Sequence, residues 1–493
     1  MFGLKRLRFV GLGTGLSMMI GTAGLLVTST LHAADPGCCA PTACRPTIQG
    51  GGCCDKIYED AAARLRNMNN GCCAPAAAAC AAPATACADP AAVFNGCGSA
   101  SAADCSSGCG LLSGDLGEPF TLVSLFDNEC GGNRLTDKGW IIGGHTQYGY
   151  QSNPDGAFAG NGTVAGNVAG GQREFRHAYL NQAYLYAAKV ADGSKGFDWG
   201  FRADMLFGVD GRDAQAFGNK PTGSWDYNNG FDHGQYSWAF PQLYGEVAMG
   251  DLSTKVGHFY TPIGYEVVPS SGNFFLSRQL TFYNSEPFTH TGTQTTYKVN
   301  DKLTVNGGYV LGMDTGFERY AGGGAFLGGA TYAMDDKTTL VYQMISGNLG
   351  WRGNGNINSV VLSHKWAEKF STVHQFDVLG TDLAGDRTHP GAGNFNVQGG
   401  VAGDSVGLIN YGFYDITSKL KAGYRNEWYK ADGTSYYTNT IGVNVKPTAN
   451  LTIRPEIRYM NSPGNEANYV TPGLFNGQLY NQTVYGIDAI LTF

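Results

Sequence analysis

From Phe197 to Asp210 the chain reads FDWGFRADMLFGVD, with apolar and polar side chains in alternation. Phe197, Trp199, Phe201, Ala203, Met205, Phe207 and Val209 are apolar, and the intervening set supplies Asp198, Gly200, Arg202, Asp204, Gly208 and Asp210. Successive side chains of an extended strand point to opposite faces, so the segment predicts one aromatic face and one charged face. Alternation held over about a dozen residues exceeds the ~5–6 of a soluble strand and suits the ~9–11 that cross a bilayer at a tilt. The competing reading of this segment alone is a strand of a water-soluble sandwich with its core on the aromatic side.

The rest of the chain favours the membrane. From Trp140 onward one unit repeats: an alternating strand, a tight polar turn, a second alternating strand, then a longer Gly- and Asn-rich loop. The pairs are Arg176 to Val190 with Phe197 to Val209, Gln235 to Met249 with Thr254 to Tyr260, and Thr293 to Val299 with Leu303 to Leu311. They continue as Phe326 to Met334 with Thr339 to Ser346, and Ser359 to Trp366 with Ser371 to Leu379. Val406 to Tyr414 then pairs with Leu420 to Tyr429, and Tyr437 to Val445 with Leu451 to Met460. The connections ADGSKG, GDLS, NDK, DDK, AEKF, DITS and KPTAN are turn-rich. An opening strand, Trp140 to Tyr150, and a closing strand, Thr483 to Phe493, bring the count to about 16, an even number that puts both barrel ends on one side. The expected fold is therefore all-β, a transmembrane antiparallel up-and-down barrel over residues 140–493, closed so that no strand edge meets lipid. Short turns on one side and long loops on the other define its periplasmic and outer faces.

Composition agrees with that reading. Among 493 residues, 73 are Gly, 27 Tyr and 26 Phe, and charged residues are only 15 %. A net charge of −7 without a basic run argues against a nucleic-acid partner. Residues 1–33 place Lys5, Arg6 and Arg8 before an apolar run and end in small residues, the order of a secretory signal peptide cleaved near Ala33 or Ala34; an uncleaved anchor is the alternative. No Cys follows at the position a lipoprotein needs, and no later run is long and apolar enough for a membrane helix.

All 13 cysteines lie at or before Cys130, in an Ala-, Gly- and Pro-rich head, residues 34–110, that is expected to be largely irregular and periplasmic, and in a linker or mouth segment, residues 111–139. Within the head only Asp55 to Asn69 has helical spacing. In an exported chain the first reading for Cys38, Cys39, Cys44, Cys53, Cys54, Cys72, Cys73, Cys80, Cys87, Cys97, Cys105, Cys109 and Cys130 is disulfide bonding. Zinc is the second reading, disfavoured because vicinal pairs are not the spacing that puts two thiolates on one ion; no CxxCH offers haem attachment, and no cofactor is implied. The odd count leaves one thiol, with Cys130 a candidate, free or paired between chains. In the linker, FTLVSLF is expected to pack beneath the barrel.

The closing strand TVYGIDAILTF ends the chain on Phe493, which resembles the aromatic-terminated last strand of bacterial outer-membrane proteins and makes outer-membrane lipid and the barrel-assembly machinery expected partners. With GHFYTPIGYEVVPS, NFFLSRQLTFYNSEPFTHTG and many Gly-ended hairpins, residues 115–493 resemble the beta-barrel porin-2 (OmpL-like) family of planctomycete type. That resemblance implies an outer-membrane channel; it does not cover the cysteine-rich head.

Pore chemistry in such a barrel comes from inward charges and infolded loops. Alternation turns Arg202 and Asp204 inward on the third strand, Lys421, Arg425 and Glu427 on the thirteenth, and Arg454, Glu456 and Arg458 on the fifteenth. The last two strands predict a basic stripe on the wall of an aqueous lumen, with simple mutual pairing as the alternative. The third long loop, Thr261 to Gly292, carries Glu266, Arg278, Glu286 and His290 and is the constriction candidate by analogy with general porins; a surface loop held by its own Phe residues is the alternative. No HExxH or GxSxG occurs, and adjacent Ser363 and His364 face opposite ways, so no enzyme is expected. Two functions remain: passive diffusion of small hydrophilic solutes or ions through a porin, with possible homo-oligomers, or a structural envelope barrel whose head crosslinks or anchors it.

Overall fold

A computed structural model describes residues 115–127, 133, 135–152, 178–217, 225–226, 231–382, 403–431, 434–461 and 481–493. The segment read as an export signal, residues 1–33, the cysteine-rich head and every one of the thirteen cysteines lie outside them. Sixteen strands alternate in direction: β1 (Trp140–Gln151), β2 (Ala178–Lys189), β3 (Asp198–Gly208), β4 (Ser237–Met249), β5 (Leu252–Tyr260), β6 (Thr289–Lys298), β7 (Leu303–Val310) and β8 (Gly324–Asp335). They continue as β9 (Thr338–Asn348), β10 (Asn354–Ala367), β11 (Phe370–Thr381), β12 (Asp404–Thr417), β13 (Leu420–Ala431), β14 (Thr434–Val445), β15 (Leu451–Asn461) and β16 (Asn481–Thr492). Each strand pairs with its sequence neighbours, and β1 closes on β16 through Tyr148 opposite Ala489. Every strand pair is antiparallel, so the sheet has no free edge.

The outward face follows from alternation. On β3, Trp199 is exposed while Arg202, Asp204 and Gly208 on the other parity are buried. On β16, Tyr485, Ile487 and Leu491 are exposed and Val484, Asp488 and Ile490 buried. One inward residue of β3 breaks the polar pattern: Leu206 is apolar and fully buried. The ladder is regular except where geometry forbids it. Opposite Asp204 and Leu206, β4 spends an extra residue around Phe240 and Pro241; Pro241 has no N–H to give, and a bulge accommodates it.

Most strands are longer than the alternation alone marks. β12 runs to Thr417, and β13 and β14 leave only residues 432 and 433 between them, where a long loop was expected. The third long connection is shortened for the same reason: the β-branched series Thr289, Thr291, Thr293, Thr295 already pairs with β5, so the loop is residues 261–288. His290 therefore belongs to β6 rather than to the loop.

At the tight-turn end, a short 3-10 turn, Leu122–Phe126, lies against the barrel rim. Asn450, in the turn between β14 and β15, accepts from Phe120 N–H (2.7 Å) and donates to Phe120 C=O (2.7 Å). Phe120, Leu125 and Phe126 remain exposed there.

Candidate functional site

A 16-stranded barrel is too wide for its own inward side chains to fill. Here the filling comes from the 261–288 loop, which enters the interior and includes one short helix, α1 (Leu280–Asn284). Its backbone polar groups need partners away from water, and the wall supplies them. Glu427 on β13 accepts from Leu280 N–H, Thr281 N–H and the Thr281 hydroxyl, each at 2.8 Å. Glu456 on β15 accepts from Leu276 N–H (2.8 Å) and Ser277 N–H (3.2 Å). Arg425 donates to Ser277 C=O (2.8 Å) and to the carboxylate of Glu266 (2.6 Å). Arg454 donates to Ser270 C=O (3.1 Å) and Asn273 C=O (2.6 Å) while held by Asp488 at 2.9 and 2.5 Å.

The neighbouring strands β1 and β2 hold the same stretch of the loop. Gln182 on β2 donates to Val268 C=O (3.0 Å) and accepts from Ser270 N–H (2.9 Å). Ser271 Oγ lies 3.3 Å from His145 Nδ1 on β1. Apolar contacts complete the seal. Val268 and Phe282 cluster with Leu206, Tyr184 and Ala239, Ile263 with Phe259, Val310, Leu327 and Ile345, and Phe275 with Val361, Ile409 and Tyr411. Inward Leu206 is thereby explained: it faces protein, not water. Glycines make room at the closest approaches. A Cβ on Gly423 would sit 2.2 Å from the Phe274 ring, and one on Gly407 would sit 2.3 Å from Thr281 Oγ1.

The residues expected from sequence divide into two groups. Arg425, Glu427, Arg454, Glu456 and Arg458 face inward, but all are buried under the loop instead of forming a stripe open to water. For Arg425, Glu427, Arg454 and Glu456 the reason is the loop's own demand for hydrogen bonds, which consumes these wall charges. Arg425, Thr440 and Arg458 form one cross-strand row on that wall. Lys421 alone of that set stays half-exposed, beside Asp415 at 3.3 Å and over the Phe413 ring. On the opposite wall Arg202 binds Asp204 at 2.8 Å, and Asp204 also accepts from Tyr184 O–H and from Gln242 (2.7 Å).

On the loop itself, Glu266 bridges Gln279 N–H (2.8 Å), Tyr411 O–H (2.9 Å) and Arg425. Arg278 donates to Val268 C=O (3.0 Å) and Ser270 Oγ (3.2 Å) and lies over the Phe282 ring, so it ties the loop to itself. Glu286 accepts from Gln375 (2.6 Å); burial, reinforced by Asp377, holds its carboxyl well above the usual carboxylate range and favours the protonated form. His290 is fully buried on the inward face of β6, bonded to Gly312 C=O (2.8 Å) and to Thr261 Oγ1 at the start of the loop (3.0 Å).

Sequence reasoning missed the glutamines. Gln147, Gln182, Gln242, Gln294, Gln343 and Gln375 are inward and buried on six different strands. Among the described residues no group of His, Cys, Asp and Glu has the geometry of a metal site.

A closed 16-strand barrel with an aromatic outer face and a loop bound across its interior defines a porin of the outer membrane. The family is explicit in the sequence: residues 139–493 match the model "Putative beta-barrel porin-2, OmpL-like", and the chain belongs to that family. The barrel is similar to the outer-membrane channel DcaP of Acinetobacter baumannii (12 % identity, TM-score 0.46, 75 % of this chain and 99 % of that one). It is also similar to an anion-selective porin from Comamonas acidovorans (9 %, TM-score 0.42, 72 % and 99 %) and to OmpT of Vibrio cholerae (11 %, TM-score 0.40, 72 % and 97 %). At these identities the likeness is one of fold alone. No curated protein matches the chain.

Proposed function

We propose that the protein is a narrow porin in which small hydrophilic solutes or ions diffuse passively past the 261–288 loop, with size exclusion set by that loop and weak charge selection by inward groups. The observation that carries this reading is the anchoring of the loop on Arg425, Glu427, Arg454 and Glu456, buried charges that a lumen-spanning loop needs and a surface loop does not. Glu266, Arg278 and Glu286 set the shape of the constriction; Arg202, Asp204 and Lys421 line what remains beside it. Residues 1–33 act as the export signal, residues 34–110 as a periplasmic head stapled by disulfides, and residues 111–139 as the segment beneath the rim. The tight turns face the periplasm and the long loops the outside. Outer-membrane lipid, the barrel-assembly machinery and further copies of the chain are the partners this reading implies.

One observation favours the second reading, a structural envelope barrel. Inward side chains are buried on both walls, from Gln147 and Gln182 to Gln375, Thr440 and Asp488, as a plugged barrel requires. Conductance of the purified protein in a planar bilayer, with and without reductant, separates the two. Stable openings support the porin; a folded, silent barrel with reducible oligomers supports the anchor.

A further inference from the structure

We infer that Lys255 and Gln294 form a subsite for an oxyanion, a carboxylate or a phosphate, on the inner wall below the loop; the inference deepens the porin reading and rests on it for the solute's route. Lys255 on β5 and Gln294 on β6 stand directly opposite each other in the ladder, on the inward face. Both are buried, to 5 % and 1 % exposure. Among the described residues the Lys255 ammonium makes no hydrogen bond and no ion pair. It lies instead 5.4 Å from the Tyr244 ring centre and 5.1 Å from that of Phe259.

The ordinary partner would be Glu246, opposite Lys255 on β4. That carboxylate, on the same face, attracts the Lys255 ammonium but bonds the hydroxyl of Ser253 and closes no salt bridge on Lys255. Lys255 extends toward Phe259, which packs beneath Ile263 of the loop. Arg202, the next cation on this wall, is already engaged with Asp204.

Gln294 supplies the second, independent observation. Five other inward glutamines have a hydrogen-bonded amide: Gln147 to Asp488, Gln182 to the loop, Gln242 to Asp204, Gln343 with Asn306, and Gln375 to Glu286. Gln294 has neither its amide nitrogen nor its amide oxygen partnered, although both are sealed from solvent. A buried amide left unsatisfied is costly, because it has given up water without gaining a partner. Beside an ammonium that donates no hydrogen bond, an oxyanion would accept from both donors with the short, strong bonds of charge-assisted pairs. The separate oxygens of an oxyanion can each take one of the two donors, whereas a halide must serve both from a single atom.

The test uses the full chain in detergent and in planar bilayers. Inorganic phosphate and acetate, each against chloride at matched ionic strength, are titrated while the thermal unfolding midpoint is followed, since a ligand that binds only the folded state raises it. The expected result is a saturable rise with at least one oxyanion; phosphate alone or acetate alone identifies the source. Lys255→Met, which keeps the length and the ring contacts, weakens the apparent affinity by roughly tenfold, and Lys298→Met at an exposed turn does not. Gln294→Glu places a carboxylate in the anion's position and abolishes the rise without removing a charge donor. In bilayers the anion preference read from the reversal potential falls in both site variants. No saturable rise in the wild type, or an equal rise in Lys255→Met, overturns the subsite. A saturable rise in a barrel that never conducts keeps the subsite and removes the porin reading.

Discussion

Two walls of one barrel carry inward charge under the same alternation, and they use it in opposite ways. On β13, β15 and β16 the groups Arg425, Glu427, Arg454, Glu456 and Asp488 are consumed by hydrogen bonds to the backbone and side chains of the 261–288 loop or to one another. On β5 and β6, Lys255 and Gln294 face the same interior, and among the described residues neither side chain makes a hydrogen bond or a salt bridge. The difference lies in what stands opposite. Where the loop presents N–H and C=O groups that have left water, wall charges become its anchors. Where it presents the apolar Ile263, a charge is left over for something else. An inward charge therefore does not by itself line a pore.

The comparison can be broken most directly by removing the loop. Deleting Ser270 to Phe282 raises single-channel conductance several-fold, and the freed wall charges dominate ion preference; an unchanged conductance takes the loop out of the pore. A smaller but still large effect is expected from Arg425→Met, which strands Glu266 in the interior. Breaking one partner of a buried ion pair costs ~3–5 kcal/mol, seen as a lowered midpoint of unfolding in urea, with noisier openings as the loop loosens. Leu206→Ala tests the apolar side of the same seal and costs ~2–5 kcal/mol by leaving a cavity under Val268 and Phe282.

A pH effect comes next, in the outer loops. Burial raises the Asp226 carboxyl to about 7 and that of Asp314 to about 6. An acid whose pKa is higher folded than unfolded binds its proton more tightly when folded, so stability falls as pH rises from the ordinary carboxylate range through these values. The thermal midpoint should drop over that interval, and Asp226→Asn with Asp314→Asn should flatten the drop. A slope equal to that of the wild type would mean that these two carboxyls do not carry it. The smallest effect belongs to the exposed pair of Lys298 with Asp301 at 2.6 Å, where Asp301→Ala should change stability by no more than ~1 kcal/mol.

The sixteen strands were legible because lipid and interior impose a period of two on every one of them, and tight turns punctuate the register. Strand ends were less so. Thr417 and Ala431 extend strands beyond the apolar pattern because backbone pairing continues past the membrane, where side-chain polarity no longer alternates. His290 was placed on the loop for a related reason: a run of threonines carries little hydropathy signal, though it pairs with β5. The orientation of Arg425, Glu427, Arg454 and Glu456 followed from parity, but their engagement did not, since parity fixes the face and not what fills the space. The signals that the interior was occupied were present in Leu206 at an inward position and in glycines such as Gly407 and Gly423 on inward parity, hollows that receive loop side chains. Lys255 gives little signal in the sequence because β5 is short and its pattern holds one Lys and no carboxylate.

Single-channel conductance of the purified full chain, measured beside the variant lacking Ser270 to Phe282, tests the central claim that a wall-anchored loop sets the pore. The account predicts small, stable openings in the wild type and markedly larger ones in the variant, both from barrels that remain resistant to heat in detergent. Large openings that are the same in both proteins would contradict it, and would return the interior to water and the wall charges to the solute.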